Sequence, residues 1–121
     1  MSVIHLDYSV LSTLQDVMEG EYATLLDVYL RDSEQRIAQL RLRLEAEAPD
    51  LQELSLTAHS FKGSSSNMGA LRLSELCQQL EERARQGEVA GLEALIGSIA
   101  SEFATVRRLF DAERLLLATQ P

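Results

Sequence analysis

One short stretch of the chain, AHSFKGSSSNMGA at residues 58–70, gathers side chains that could carry chemistry. His59 is followed three residues later by Lys62, the only lysine among 121 residues, and then at once by Gly63. A neutral imidazole is a good nucleophile at physiological pH, and a phosphoryl group placed on it carries nearly two negative charges. A lysine ammonium one turn away can partly offset that charge. The spacing therefore indicates a phosphoryl-accepting histidine with a cationic neighbour.

The helix predicted to carry this stretch holds His59 on its outer side. Its apolar or small residues recur every three or four positions and define the core direction: Leu51, Leu54, Ala58, Phe61, Ser65 and Met68. At 100° per residue, His59 projects about 130° and Gly63 about 170° away from that direction. Glycine in an exposed helix interior costs about 1 kcal/mol relative to alanine, so stability does not explain Gly63. We interpret the missing side chain as a gap through which a partner protein reaches the imidazole.

Further residues on the outer side are predicted to support the phosphoryl group or to contact the partner. The hydroxyl of Ser66, a turn beyond Lys62, can donate a hydrogen bond to a phosphoryl oxygen. The hydroxyl of Ser65 is a second candidate donor, although Ser65 falls on the core side, where its small size is a sufficient explanation. Leu56, one turn before His59, is directed almost straight outward, and an exposed leucine beside a reactive group fits a docking surface. Leu56, Ser60 and Gly63 are the predicted docking residues.

The other histidine and the one cysteine are given ordinary roles. His5, in the N-terminal segment, is interpreted as a polar surface residue. Cys77 lies in LRLSELCQQL among leucines, which favours core packing over a reactive thiol, and a single cysteine forms no internal disulfide. Two histidines far apart in sequence give no recognisable zinc ligand set, so no metal site is predicted. The acidic run Leu80-Glu81-Glu82-Arg83 is interpreted as a solvated face.

The composition indicates one all-α domain over residues 1–121. Leu, Ala, Glu, Gln and Arg dominate the chain, and all are strong helix formers. The net charge of −8 would repel nucleic acid and anionic membrane surfaces alike. No apolar run approaches the roughly 20 residues needed to span a bilayer, and the first ten residues lack the pattern of a signal peptide. A cytoplasmic location is expected.

Apolar periodicity predicts a short helix followed by four long ones, at about residues 7–18, 21–48, 50–68, 70–86 and 89–117. Pro49 should stop the second helix, Asp50 should cap the third with Glu53 as its capping-box partner, and Gly87 should cap the fourth. Short connections make neighbouring helices antiparallel. The expected fold is an up-down antiparallel four-helix bundle with the short N-terminal helix across one end. Such a bundle completes its own core, so a monomer is expected.

The motif from Ala58 to Ala70 resembles the histidine-containing phosphotransfer (HPt) domains of multistep two-component phosphorelays, in which Lys and Gly follow the histidine at the third and fourth positions and Gly-Ala comes later. The likeness extends over essentially the whole chain and is nearest to stand-alone bacterial modules. It implies that His59, within the phosphoacceptor helix at about 50–68, receives a phosphoryl group from the aspartate of a receiver domain, usually in a hybrid sensor kinase. His59 then passes the group to an aspartate of a response regulator.

The resemblance also implies a carrier rather than an enzyme. It implies no ATP and no metal of its own, because the receiver's acidic pocket supplies the magnesium. One departure concerns the imidazole: several family members place a glutamine about 22 positions after the histidine, where this chain has Glu81. Gln78, one turn earlier, and Glu81 itself are both candidates to orient the ring.

Two other functions compete with the relay. The phosphoacceptor part of a histidine kinase also displays a histidine on a helical bundle, but its histidine is typically followed by an acidic residue, and His59 is followed by Ser60. The second alternative is an HPt-like module that binds or sequesters receiver domains without obligatory phosphotransfer. Retention of His59, Lys62 and Gly63 together argues against it.

Overall fold

Four long helices form a closed ring in the structure, a computed structural model that describes residues 3–119. The elements are α1 (Tyr8–Met18), a 3₁₀ turn (Glu19–Glu21), α2 (Tyr22–Glu45), α3 (Leu51–Asn67), α4 (Leu71–Arg85) and α5 (Leu92–Thr119). Each of the last four helices packs against its neighbours in sequence, and α5 also packs against α2. The predicted all-α, up-down four-helix bundle is confirmed. Residues 1, 2, 120 and 121 of the predicted domain lie outside the described residues.

The core lies where the apolar sides of the four long helices meet, and burial of this surface is the main stabilising term. On α3 the predicted inward residues Leu54, Ala58 and Phe61 are all buried. Ser65 is buried as well, and its hydroxyl oxygen lies 2.8 Å from the Tyr29 hydroxyl oxygen of α2. Because this side of α3 is fixed inward, the opposite side of the helix faces solvent.

The Gly-Ala end of the motif is a helix cap. Gly69 has a φ of +72°, and α3 ends in a Schellman arrangement in which Ala70 N donates to Ser65 O at 2.8 Å and Gly69 N donates to Ser66 O at 3.0 Å. A Cβ on Gly69 would lie 2.9 Å from the carbonyl oxygen of Asp7. Glycine is therefore required here by the backbone and by the segment that crosses it.

The N-terminal segment is tied to the turn between α3 and α4, so α1 lies across that end of the bundle as predicted. Asp7 N donates to Gly69 O at 2.8 Å, and Leu71 N donates to His5 O at 3.1 Å. The interpretation of His5 as a plain surface residue is wrong: its Nδ1 lies 2.7 Å from Glu102 Oε2 on α5, and its side chain is 35% exposed. Apolar periodicity could not foresee a contact between residues 97 positions apart.

Two helix boundaries differ from the prediction. The second helix was expected to reach residue 48 but ends at Glu45, because a proline ring clashes with the carbonyl four residues earlier and Pro49 therefore removes the last turn. The fifth helix begins at Leu92 rather than residue 89, since Gly91 takes a φ of +85° that no α-helix contains. The predicted cap at Gly87 is present, with a φ of +75°. Asp50 caps α3 by accepting from Glu53 N at 3.1 Å, while the Glu53 carboxylate pairs with Arg43.

Candidate functional site around His59

Helix α3 presents His59 to solvent while the residues on either side of it anchor the helix. Ala58 and Phe61 are fully buried, whereas the His59 side chain is 61% exposed. Leu56 is 54% exposed, and Ser60 is also exposed. The outward directions calculated from helix geometry are therefore those found in the fold.

A carboxylate from the neighbouring helix α4 holds the inner side of the imidazole. Glu81 Oε2 lies 2.8 Å from His59 Nδ1, and Lys62 Nζ donates to Glu81 Oε1 at 2.7 Å. Glu81 is only 2% exposed. A buried carboxylate is tolerated when its oxygens are paired, and here one turn of α3 supplies both partners. Ser74 at the start of α4 also donates to the Lys62 carbonyl oxygen at 3.2 Å, which fixes the two helices against each other beside the site.

The protonation of this pair determines which ring nitrogen is free. Burial alone would raise the pKa of Glu81, but the hydrogen bonds from Lys62 and His59, together with their charges, outweigh burial and hold that pKa below its usual value. Glu81 is therefore ionised at neutral pH, and an ionised carboxylate only accepts hydrogen bonds. His59 Nδ1 must then carry the proton and donate. The lone pair of a neutral ring is left on Nε2, the nitrogen that points away from Glu81.

The two candidates for orienting the ring are separated by the structure. Gln78 is exposed, and its Nε2 donates to Glu82 Oε1 at 3.2 Å, so it does not reach the imidazole.

The interpretation of residues 80–83 as a solvated face is wrong for its first half, because Leu80 and Glu81 are both buried. Helical spacing contained the signal: Glu81 follows buried Cys77 by four residues and precedes buried Ala84 by three, so it shares their side of α4.

Sequence reasoning overlooked a third cation beside the site. Arg85 lies one turn after Glu81 on α4, and its Nη2 is 3.5 Å from Glu81 Oε2. Its side chain is 66% exposed, so the contact is looser than those made by His59 and Lys62. The spacing of four residues between an acid and a following base was a visible signal for this pair.

The surface beside the imidazole is open at Gly63. A Cβ built on this glycine would meet nothing within 4 Å, so close packing of another helix is not the reason for its presence. Ser66 is also exposed, and its hydroxyl makes no hydrogen bond within residues 3–119. Next to Gly63, Ser64 accepts a hydrogen bond from Arg36 Nη1 of α2 at 2.7 Å. The outer side of α3 therefore has free space at Gly63, one turn beyond His59.

The predicted packing role of Cys77 agrees with its position. The residue is fully buried, and burial raises the pKa of its thiol to about 12, which leaves almost no reactive thiolate at neutral pH. Within the described range, no group of three or more His, Cys, Asp or Glu side chains is arranged to hold a metal ion.

The sequence was compared with models of known protein families. The model of the Hpt domain family matches residues 24–112, a range that contains His59 and every group that contacts Glu81. The chain belongs to the Hpt domain family. The predicted family is confirmed by this match, and the predicted bacterial type by the Pseudomonas protein described next.

A bacterial Hpt protein of known structure is similar throughout. Histidine-containing phosphotransfer protein B from Pseudomonas aeruginosa PAO1 shares 53% identity with a TM-score of 0.89, over 94% of this chain and 97% of that chain. Among plant relatives, histidine-containing phosphotransfer protein 1 of Oryza sativa is 26% identical over 113 residues, which are 93% of this chain and 77% of the rice protein.

The fold is also found in a eukaryotic complex. The Saccharomyces cerevisiae histidine phosphotransfer signalling protein Ypd1, crystallised with the receiver domain of its downstream response regulator Ssk1, matches with a TM-score of 0.66 and 17% identity. The match covers 97% of this chain and 94% of the yeast chain. This likeness establishes a shared Hpt fold.

Proposed function

We propose that this chain is a histidine phosphotransfer protein of a multistep two-component phosphorelay. His59 accepts a phosphoryl group from the receiver aspartate of a hybrid sensor kinase and passes it to the aspartate of a response regulator. The observation that carries this proposal is the hydrogen bond between His59 Nδ1 and the ionised, buried Glu81, which leaves Nε2 as the exposed nucleophile. Membership of the Hpt family supports the same reaction.

The transfer needs only one bond to form and one to break. The Nε2 lone pair of His59 forms a bond to phosphorus while the bond between phosphorus and the aspartyl oxygen of the receiver breaks, and the aspartate leaves as a carboxylate. The ring, which already carries a proton on Nδ1, becomes cationic, and Glu81 stabilises that charge at 2.8 Å. The reverse sequence on a second receiver regenerates the neutral ring.

The neighbours of His59 divide the remaining tasks. Lys62 offsets the charge of the transferred phosphoryl group, and the free hydroxyl of Ser66 is a donor for its oxygens. Gly63 leaves room for the receiver's acidic pocket to approach the ring. Leu56 and Ser60, exposed on the same side of α3, contact the docked receiver. Gln78, which is engaged with Glu82, has no part in this proposal.

Receiver domains are the proposed partners at both ends of the relay, a role supported by the yeast Ypd1 complex with a receiver domain. The protein acts as a carrier and a monomer, with no cofactor of its own, and magnesium is supplied by the receiver. No described helix is both long and apolar enough to cross a membrane. The cytoplasmic location and the absence of nucleic-acid binding stay predictions.

A sequestering role is the second candidate, since the exposed surface around Leu56 could bind a receiver without transfer. The two functions separate in one experiment. Wild-type protein, His59→Gln and His5→Gln are mixed with a panel of receiver domains pre-phosphorylated by acetyl phosphate, and intact mass is followed with and without acid treatment. We expect one acid-labile phosphoryl group on wild type and on His5→Gln, and none on His59→Gln. Binding without any phosphoryl adduct on wild type would replace the relay by sequestration.

A further inference from the structure

Glu81 has one more cationic neighbour than its two oxygens need in the unphosphorylated protein. His59 Nδ1 and Lys62 Nζ make hydrogen bonds of 2.8 and 2.7 Å to separate carboxylate oxygens, whereas Arg85 Nη2 stays at 3.5 Å. A distance of 3.5 Å to a largely exposed guanidinium is a loose ion pair that contributes little to stability. The position of Arg85 is therefore not explained by the resting state.

Phosphorylation changes what Lys62 must neutralise. A phosphoryl group on Nε2 of His59 brings nearly two negative charges to the outer side of α3, against one on Glu81. Lys62 Nζ lies one turn from the ring and is the nearest mobile cation, because its ammonium ends a flexible four-carbon chain. Glu81 by then is also paired with a cationic ring. The ammonium of Lys62 is thus drawn from the carboxylate to the phosphoryl oxygens.

Glu81, which is only 2% exposed with Lys62 in place, would then lose the donor on Oε1. An unpaired oxygen on a buried carboxylate is strongly unfavourable. Arg85 follows Glu81 by four residues on α4, shares its side of the helix and carries five N–H donors on a long side chain. We propose that Arg85 is a reserve counter-ion that takes over Glu81 when Lys62 turns to the phosphoryl group. This inference rests on the proposed function. Arg85 is a positioning residue in it, because it acts through Glu81 and does not touch the transferred group.

The consequence concerns the lifetime of the phosphorylated protein. Without Arg85, Oε1 of Glu81 has no other donor, so the ammonium of Lys62 stays on the carboxylate and leaves the phosphoryl group without its nearest cation. The charge of the phosphoryl group is then less well neutralised, and the phosphorylated protein has a shorter lifetime. In the unphosphorylated protein, Lys62 and His59 already satisfy Glu81, so removal of Arg85 should change nothing there.

The test compares Arg85→Gln with the control Arg83→Gln. The control removes the same charge two residues earlier, and the Arg83 side chain does not contact Glu81. Each protein is phosphorylated by the receiver that gives the highest yield with wild type, the receiver is removed, and the half-life of the adduct is measured by intact mass. We expect Arg85→Gln to shorten the half-life about threefold, as the loss of a partly screened ion pair predicts. Arg83→Gln should keep the wild-type half-life.

Two further measurements tie the effect to Glu81. In a Glu81→Gln background, where no carboxylate needs a counter-ion, adding Arg85→Gln should have no further effect on the half-life. In wild type, the NMR resonance of the Arg85 Nε–Hε group should shift on phosphorylation and exchange more slowly with water. Neither change should occur in Glu81→Gln.

The failures are distinguishable. If wild type takes up a phosphoryl group but Arg85→Gln and Arg83→Gln have equal half-lives, Arg85 has no special role and the relay function stands. If Arg85→Gln shortens the half-life equally in the Glu81→Gln background, the guanidinium acts directly on the phosphoryl group. That result would overturn the proposal that Arg85 replaces Lys62 on Glu81. If no receiver phosphorylates wild type, the proposed function and this inference fall together.

Discussion

The chain contains two histidines, and each has its Nδ1 within hydrogen-bond distance of a buried glutamate on a helix distant in sequence. The distances are 2.7 Å for His5 with Glu102 and 2.8 Å for His59 with Glu81. Their surroundings differ. His59 is 61% exposed on a helix with Lys62 and Gly63 on the next turn, whereas His5 is 35% exposed in the segment bound to the α3–α4 turn.

The difference teaches that a paired histidine is not by itself a reactive site. Both glutamates can set the tautomer of their ring, but His59 also has open space at Gly63 on the next turn and a nearby cation, Lys62, that can offset the charge of a transferred phosphoryl group. The Glu102 contact joins the N-terminal segment to α5 and therefore serves the fold. The Glu81 contact joins two neighbouring helices and also directs a nucleophile outward.

The largest expected effect separates the two rings directly. His59→Gln should abolish phosphoryl acceptance, because no nucleophilic nitrogen remains, while its helical circular dichroism stays intact. His5→Gln should accept phosphate at the wild-type rate and lose only part of its stability. Acceptance from a phosphorylated receiver, followed by intact mass, decides both. If His5→Gln lost phosphoryl acceptance with an unchanged fold, His5 would also be needed for the reaction, and the contrast between the two histidines would be wrong.

The two glutamates give the next contrast. Glu81→Ala should slow phosphoryl acceptance roughly 10- to 100-fold, since a ring that is free to rotate and change tautomer is seldom aligned for attack. Glu102→Ala should leave the rate unchanged and lower the free energy of unfolding. Stopped-flow kinetics and ¹⁵N NMR of the ring nitrogens measure the rate and the tautomer. An unchanged tautomer in Glu81→Ala would contradict the orienting role.

Gly63 has a natural control in Gly97 on α5, because a Cβ on either glycine meets nothing within 4 Å. Both Gly63→Gln and Gly97→Gln should raise the free energy of unfolding by about 0.5 kcal/mol through helix propensity. Only Gly63→Gln should slow transfer, by about tenfold, because its new side chain occupies the space before the ring. Equal transfer rates in the two variants would show that the receiver does not need the space at Gly63.

Within residues 3–119, no lysine or arginine forms an ion pair with Glu102 as Lys62 does with Glu81, so removal of Lys62 tests the electrostatic part of the contrast. Lys62→Ala should shorten the phosphohistidine half-life about fivefold, because the phosphoryl charge loses its nearest cation. It should also lower stability, since buried Glu81 keeps one hydrogen-bond donor fewer. Denaturant unfolding and adduct decay are measured on the same samples. A half-life equal to that of wild type would disprove the role assigned to the only lysine.

The smallest expected effect is on the acid dependence of stability. The pKa of Glu81 lies below its usual value of 4.5 in the folded protein, so the folded state binds this proton less readily than the unfolded state. Its stabilising contribution is complete above about pH 4.5 and is lost as the pH falls through the folded pKa. Glu81→Gln should therefore show a shallower loss of stability between pH 5 and 3 in urea unfolding. A slope as steep as that of wild type would assign the acid sensitivity to other carboxylates.

Much of the fold followed from periodic patterns. The apolar line of α3 fixed the outward direction of His59 and Gly63, because helix geometry converts residue spacing into an angle. The helix ends were less predictable where backbone conformation decided them, as at Gly91, whose φ of +85° delays α5 by three residues. A glycine's dihedral angles depend on the chain around it.

The sequence by itself determined the five helices, the outward face that carries His59 and the motif of the Hpt family, because these depend on local spacing along one helix. Only the tertiary structure selected Glu81 over Gln78 as the partner of the ring, placed the Glu81 carboxylate between His59 and Lys62, and joined His5 to Glu102. Those contacts depend on how α3, α4 and α5 pack against one another and against the N-terminal segment. The rotation of each helix about the common core is set by the volumes of many side chains together, and no single stretch of sequence contains all of them.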